Sequence, residues 1–172
     1  MKVFINPGHG GLDTGAVGCG LVERDVTRVL GLRVAQCLKA VGYDVALFQY
    51  DGLEAICAEA EDFEADLFVS IHCNSFDGQV YGTETYHAPY SAKGWLAANA
   101  VQSQLIRSLP TTDRGIKTER FYVLMNTSMP AILIETAFID NPADAVLLRY
   151  RHDDFAHAIA RGVTDFFAKV LP

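Results

Sequence analysis

The chain has 172 residues, half of them hydrophobic and a fifth charged, a composition that suits one soluble domain with a well-buried core. Its formal net charge of −7, from 14 Lys plus Arg against 21 Asp plus Glu, argues against nucleic-acid binding, which depends on cationic neutralisation of phosphates. No apolar run approaches the roughly 20 residues needed to cross a bilayer, which excludes membrane insertion by such a helix.

The N-terminal stretch "KVFIN" is a short apolar run closed by Pro-Gly and is read as a strand. A strand starting this early leaves no room for a signal peptide in this sequence, so either the exporting segment is missing or release follows a non-classical or phage-type route. From Glu23 to Val41 apolar residues recur at Val26, Leu30, Val34, Leu38 and Val41, a helical spacing that Gly42 ends. "YDVALF" is the second strand, "GLEAICAEAEDFEA" a short acidic helix and "DLFVSIH" a third strand, nearly continuous in apolar residues as in a covered parallel sheet. "GTETYHA" follows as a strand, "SAKGWLAANAVQSQLIRSL" as a helix, "RFYVLM" as a strand and "PAILIE" as a buried one. After "NPADAVLL" the chain closes with a helix from about Asp153 to Leu171. Strands alternating with helices, without repeat or linker, predict one α/β domain over residues 1–172: a mixed, largely parallel twisted sheet of about six strands with helices on both faces.

Ligands of such sheets bind beyond the carboxyl ends of the strands. Three apolar strands here run into a titratable group there: "VFIN" into His9, "LFVSI" into His72 and "AILI" into Glu135. Glu23, opening the helix after the first strand, belongs to the same rim. Two imidazoles and one carboxylate make a zinc site with its fourth position open to water, whose pKa the metal lowers to about 7. A further carboxylate must then move the proton, and Glu135 is available for it.

Taken singly, His9 reads as a solvated loop histidine, Glu23 as a helix N-terminal acid favoured by the macrodipole, and Glu135 as one half of an ion pair with arginine. Taken together, the four converge on one edge. Among the cysteines no two form a CxxC pair, which disfavours a zinc ribbon or redox motif. Cys37, Cys57 and Cys73 are expected in the core, and Cys19 is the one cysteine whose loop approaches the metal.

"INPGHGGLDTGAVG", "GLVERDVTRVLGLRVAQCLKAVGYDVAL", "DLFVSIHCNS", "GTETYH" and "DRGIKTERFYVLMNTSMPAILIETAFIDNPADAVLL" together resemble the zinc-dependent N-acetylmuramoyl-L-alanine amidases over nearly the whole chain. The resemblance implies hydrolysis of the amide joining the lactyl group of muramic acid to L-alanine in peptidoglycan, with one zinc ion per chain, acting at the bacterial cell wall. It assigns His9, Glu23 and His72 as metal ligands and Glu135 as the catalytic acid/base; glycines around His9 let the backbone turn tightly enough for it to face the metal. Asn74, His87 and Arg114, the last with Lys117, are the candidates for substrate contact. A monomer is expected.

One departure stands out: where family members usually carry an arginine-bearing helix before the second histidine strand, "FQYDGLEAICAEAEDFEADL" has no arginine. A second concerns control. The inhibitory helix that some amidases of this type insert after the strand reading "GTETYHA" has no counterpart, because a core helix follows at once. The alternatives are a catalytically inactive wall-binding domain, which would not need Glu135, and a zinc carboxypeptidase-like peptidase, which would need a clear cationic clamp. A phosphate-binding reading of "PGHGG" fails for lack of the P-loop lysine and hydroxyl.

Overall fold

Six strands form one twisted sheet in the order β4-β1-β5-β8-β6-β7, every neighbouring pair parallel except β6 against β8. The computed structural model describes residues 1–170, so the closing helix is seen to Val170 and its expected end at Leu171 lies outside the described residues. The strands are β1 (Lys2–Pro7), β4 (Asp44–Leu47), β5 (Leu67–Asn74), β6 (Thr83–His87), β7 (Asp113–Thr118) and β8 (Ala131–Phe138). A two-residue hairpin pair, β2 (Val17–Gly18) and β3 (Leu21–Val22), lies in the loop after β1. The helices are α1 (Glu23–Ala40), α2 (Leu53–Asp62), α3 (Ala92–Ser108), α4 (Tyr122–Met125), α5 (Pro142–Tyr150) and α6 (His152–Val170).

Alternation along the strands divides the interior in two. Val3, Ile5, Val69, Ile71, Ile132 and Ile134 face one way and meet the apolar stripes of α1, α3 and α6 in the larger core. Phe4, Phe68, Ala131 and Leu133 face the other way and are covered by α2 and α4, through Ile56, Ala60, Val123 and Leu124. The two cores join into one α/β domain with helices on both faces. None of the described helices is long and apolar enough to cross a membrane.

One reading of the sequence is corrected. "RFYVLM" is not a strand: the N–H groups of Leu124 and Met125 both donate to the carbonyl of Phe121, closing a helical turn that buries Val123 and Leu124 while Tyr122 and Met125 stay exposed. The strand lies upstream, in "DRGIKT", where only Ile116 is apolar. An edge strand needs one paired side and tolerates polar faces, so it carries little hydrophobic signal.

Between β6 and α3 the chain spends only Ala88, Pro89, Tyr90 and Ser91, and Ser91 caps α3 by accepting the Gly94 N–H. No helix is inserted there among the described residues.

Candidate functional site

β1, β5 and β8 are adjacent and parallel, so their carboxyl ends deliver three side chains to one rim. His72 and Glu135 are direct register partners on β5 and β8. His9 sits in the loop after β1, which continues the ladder by donating the Gly8 N–H to the carbonyl of Ile71 at 2.8 Å. Thr27 on α1 holds the Gly8 carbonyl at 2.8 Å, tying this loop to the helix that carries Glu23.

The backbone strain of the loop rests on His9 itself, with φ +61°, and not on the two flanking glycines. Histidine is among the residues enriched in this region, at a cost of order 1–3 kcal/mol. Gly8 is needed for space instead: a Cβ there would stand 2.3 Å from the His72 ring. At Gly15, with φ +63°, a Cβ would stand 2.5 Å from the His9 ring and 2.6 Å from Oε2 of Glu23. Gly8→Ala is therefore expected to displace His72 and weaken metal affinity by about 10–100-fold, as loss of ligand support commonly does. Competition against a fluorescent zinc chelator would measure it, with near-native circular dichroism as the control.

Glu23 is buried at the first position of α1, and each of its oxygens is fixed twice. Oε1 lies 3.0 Å from Nδ1 of His72 and accepts the Cys73 N–H at 3.0 Å. Oε2 lies 3.0 Å from Nε2 of His9 and accepts the Ala16 N–H at 2.9 Å. Burial works against the charged carboxyl, but hydrogen bonds to His72 and His9 outweigh it and hold Glu23 well below the usual carboxylate range. The hydrogen bond to Glu23, helped by one to Asp13 and opposed by burial, pushes His9 up to about 9.

One ligand atom from each of His9, Glu23 and His72 lies within 4.8 Å of the others. Two imidazole nitrogens flanking one carboxylate at 3.0 Å fit a tetrahedral cation held at about 2.0–2.2 Å from each. Asp13, which sequence reading missed, accepts from or shares a proton with Nδ1 of His9 at 2.8 Å, leaving Nε2 on the side of Glu23, where it could meet a cation. That carboxylate–imidazole relay orients a ligand histidine and raises its basicity. Its signal was the i,i+4 spacing of His9 and Asp13.

Glu135 lines the same cleft, of about 390 Å³, whose walls include Tyr50, Leu53 and Ile56 on one side and Phe121, Tyr122 and Val123 on the other. His9 and His72 keep 24% and 21% of their side-chain surface exposed, so both imidazoles are reachable from solvent. One oxygen of Glu135, Oε2, is sealed from solvent and has no hydrogen-bond partner among the described residues. Burial, against the pull of His72 and with the push of Glu23 and Glu84, raises Glu135 to about 7. A carboxyl so placed suits proton transfer near neutral pH.

The remaining candidates fare differently. His87 lies at the other end of β6, opposite Ile132, and bonds the Ala88 carbonyl through Nδ1; it does not line the cleft, because β6 runs antiparallel to β8. Cys19 is exposed, with its Sγ 3.5 Å from the carbonyl oxygen of Asp140, and does not join the metal group. Cys57 and Cys73 are buried, Cys37 is partly buried against the core, and all four cysteines are free thiols. Arg114 and Asn74 both bond Glu84, a second residue missed in the sequence. Glu84 is only 2% exposed and faces Glu135 across the β6–β8 ladder. A buried glutamate inside a polar-looking strand is indistinguishable from an exposed one until its cations are located.

Comparison with known proteins places the chain in a family. The protein family described as N-acetylmuramoyl-L-alanine amidase matches residues 3–165. The chain is 40% identical over 173 aligned positions to the uncharacterized protein YqiI of Bacillus subtilis, covering 96% of this chain and 84% of that one. It is 38% identical to the N-acetylmuramoyl-L-alanine amidase LytC of the same organism, covering 96% of this chain but only 35% of the relative's length. Among solved structures, the N-acetylmuramoyl-L-alanine amidase AmiC2 of Nostoc punctiforme superimposes with a TM-score of 0.92 at 37% identity, over 98% of this chain and 97% of that one.

Proposed function

The chain belongs to the N-acetylmuramoyl-L-alanine amidase family, and from that premise we propose that it is a zinc-dependent hydrolase cutting the amide between the lactyl group of N-acetylmuramic acid and L-alanine of the stem peptide. The observation that carries the reading is the convergence of His9, Glu23 and His72 with Glu135 in register beside His72.

In this reading His9, Glu23 and His72 hold one zinc ion per chain. When bound, zinc supplies Lewis acidity, polarising the scissile carbonyl and making water at the site acidic enough to attack near neutral pH. Glu23, fixed by two backbone N–H groups, keeps the two imidazoles at set positions, and Asp13 fixes the tautomer of His9. Glu135 takes a proton from the attacking water and returns it to the leaving amide nitrogen, so that the products are a free lactyl carboxylate and an L-alanyl amine. The apolar walls of the cleft limit solvation of the carboxylate and keep its affinity for protons high. Glu135 also weighs against an inactive wall-binding domain, since a binder gains nothing from an unpaired buried carboxyl.

The substrate in this reading is peptidoglycan at the bacterial cell wall, and the chain works as a monomer. The four-residue link between β6 and α3 supports an enzyme that needs no protein activator. The net charge of −7 makes anionic wall polymers repulsive at long range, an effect that salt screens. The test is to digest purified wall with the protein alone and identify the products by mass spectrometry. Peptides with a new N-terminal alanine and glycan retaining lactyl groups are expected; release of terminal D-amino acids, or activity only after an activator is added, would contradict it.

A further inference from the structure

Beyond Glu135, which lines the cleft, the sheet continues across β6 to the edge strand β7. The row His72, Glu135 and Glu84 is set by direct register on β5, β8 and β6, and Tyr86, two residues along β6, pairs in register with Lys117 of β7. All of these lie on the face that α2 and α4 cover only in part, as Tyr86 and Leu133 belong to that smaller core.

Glu84 is saturated with donors. Oε1 accepts from the Tyr86 hydroxyl at 2.6 Å and from Nδ2 of Asn74 at 3.0 Å. Oε2 accepts from Nε of Arg114 at 2.7 Å and from Nζ of Lys117. Arg114 also lies over the Phe138 ring at 4.9 Å, and Lys117 over the Tyr86 ring at 5.8 Å. Two cations are thus pinned in place by one buried carboxylate, leaving one positive charge uncompensated. Their side chains keep 30% and 37% of their surface exposed, while Glu84 keeps 2%. Nη2 of Arg114 has no hydrogen-bond partner among the described residues, and Nη1 reaches only the Tyr81 carbonyl at 3.4 Å.

We propose that Arg114 and Lys117, held by Glu84 as a positioning residue, form a subsite for a carboxylate of the stem peptide beside the scissile amide. This rests on the amidase reading above and adds to it the charge of the group that the enzyme selects. An ion pair serving stability alone would need one cation for one carboxylate. Here a second cation is added and both heads are left partly open, with the single strand β6 between them and the strand of Glu135, on a chain that is otherwise strongly acidic. A guanidinium with unused N–H groups held rigidly by a buried acid is preorganised for a carboxylate.

The test compares N-acetylmuramoyl-L-alanyl-D-glutamate with the same compound carrying both carboxyls as amides, using the zinc-loaded protein. For the wild type, KM is expected to be about tenfold higher for the diamide with kcat nearly equal, the size of one charge-assisted hydrogen bond. Arg114→Gln should raise KM for the diacid to about the diamide value and leave the diamide unchanged, and Arg114→Lys should recover part of the loss. Glu84→Gln should act in the same direction by releasing both cations. If the small compounds are too poor to be cut, their inhibition constants against wall digestion replace KM. Equal KM or inhibition constants for the two compounds in the wild type, which requires no variant to fold, would overturn the subsite while leaving the amidase intact. Failure to cut wall at the lactyl–alanyl amide at all would instead overturn the reading beneath it.

Discussion

Replacing Glu135 with glutamine is expected to lower turnover on peptidoglycan by about 10²–10⁴-fold while leaving metal content unchanged. Glutamine keeps the volume of the buried side chain but cannot accept the proton of water. None of the metal contacts described above passes through Glu135, so zinc stoichiometry should be that of the wild type. The same variant carries a stability signature of opposite sign. In the folded chain Glu135 holds its proton up to about pH 7, against the ordinary glutamate value of 4.5 in the unfolded chain. Between these values the native state binds more protons than the unfolded state, so this group destabilises the fold increasingly as pH rises through that window. The full effect, reached above pH 7, is at most about 3 kcal/mol at 1.36 kcal/mol per pKa unit. In EDTA-treated protein Glu135→Gln should therefore melt higher than wild type at pH 8 and match it near pH 4.5. Near wild-type turnover on wall, or a variant no more stable than wild type at pH 8, would remove Glu135 from the proposed role.

Removing the metal is the second large effect. Lewis-acid assistance worth several kcal/mol corresponds to about 10³-fold or more in rate, so EDTA should abolish activity and zinc should restore it. His72→Ala should lose activity to the same extent without rescue at micromolar zinc, because one imidazole of the two is gone and Glu23 loses one of the two partners of Oε1. Chelation should also lower the melting temperature, since a zinc ion held by the folded chain stabilises it and a preformed site does not survive unfolding. Uptake must displace the proton that His9 retains up to about pH 9 in the metal-free chain, so apparent affinity falls as pH falls below that value. Calorimetry in buffers of different ionisation enthalpy measures the released proton.

The parts of the molecule that were legible in the sequence are those where burial is complete. β1, β5 and β8 read as strands because both faces are covered and their residues are nearly all apolar, and the polar residues that end them stood out for that reason. α1, α3 and α6 were visible from their stripes, all facing one core. Legibility failed at the sheet edge. "DRGIKT" pairs with β6 alone and has exposed ends, so its strand identity comes from the register of its neighbour and not from its own pattern. "RFYVLM" has the apolar run of a strand, but its contacts with the smaller core come from one helical turn.

The convergence of His9, Glu23 and His72 was legible because strand ends in a parallel sheet share one rim, whereas the groups that support it were not. Asp13 acts through a loop conformation in which His9 adopts a left-handed backbone, and nothing in the local sequence dictates that geometry. Arg114 and Lys117 were visible as cations, but the acid that fixes them comes from an earlier strand, 30 residues from Arg114. His87 was misplaced because the direction of β6 cannot be read from its own residues: a parallel strand would have brought His87 to the rim, and the antiparallel one brings Glu84.

X-ray absorption at the zinc edge on the zinc-loaded protein tests the central claim most directly, because it counts and identifies the ligands. One zinc per chain with two imidazole nitrogens and one carboxylate oxygen at about 2.0–2.2 Å is the expected result, and His72→Ala should remove one nitrogen. No stoichiometric zinc, or a sulfur ligand at about 2.3 Å, would contradict the assignment of His9, Glu23 and His72.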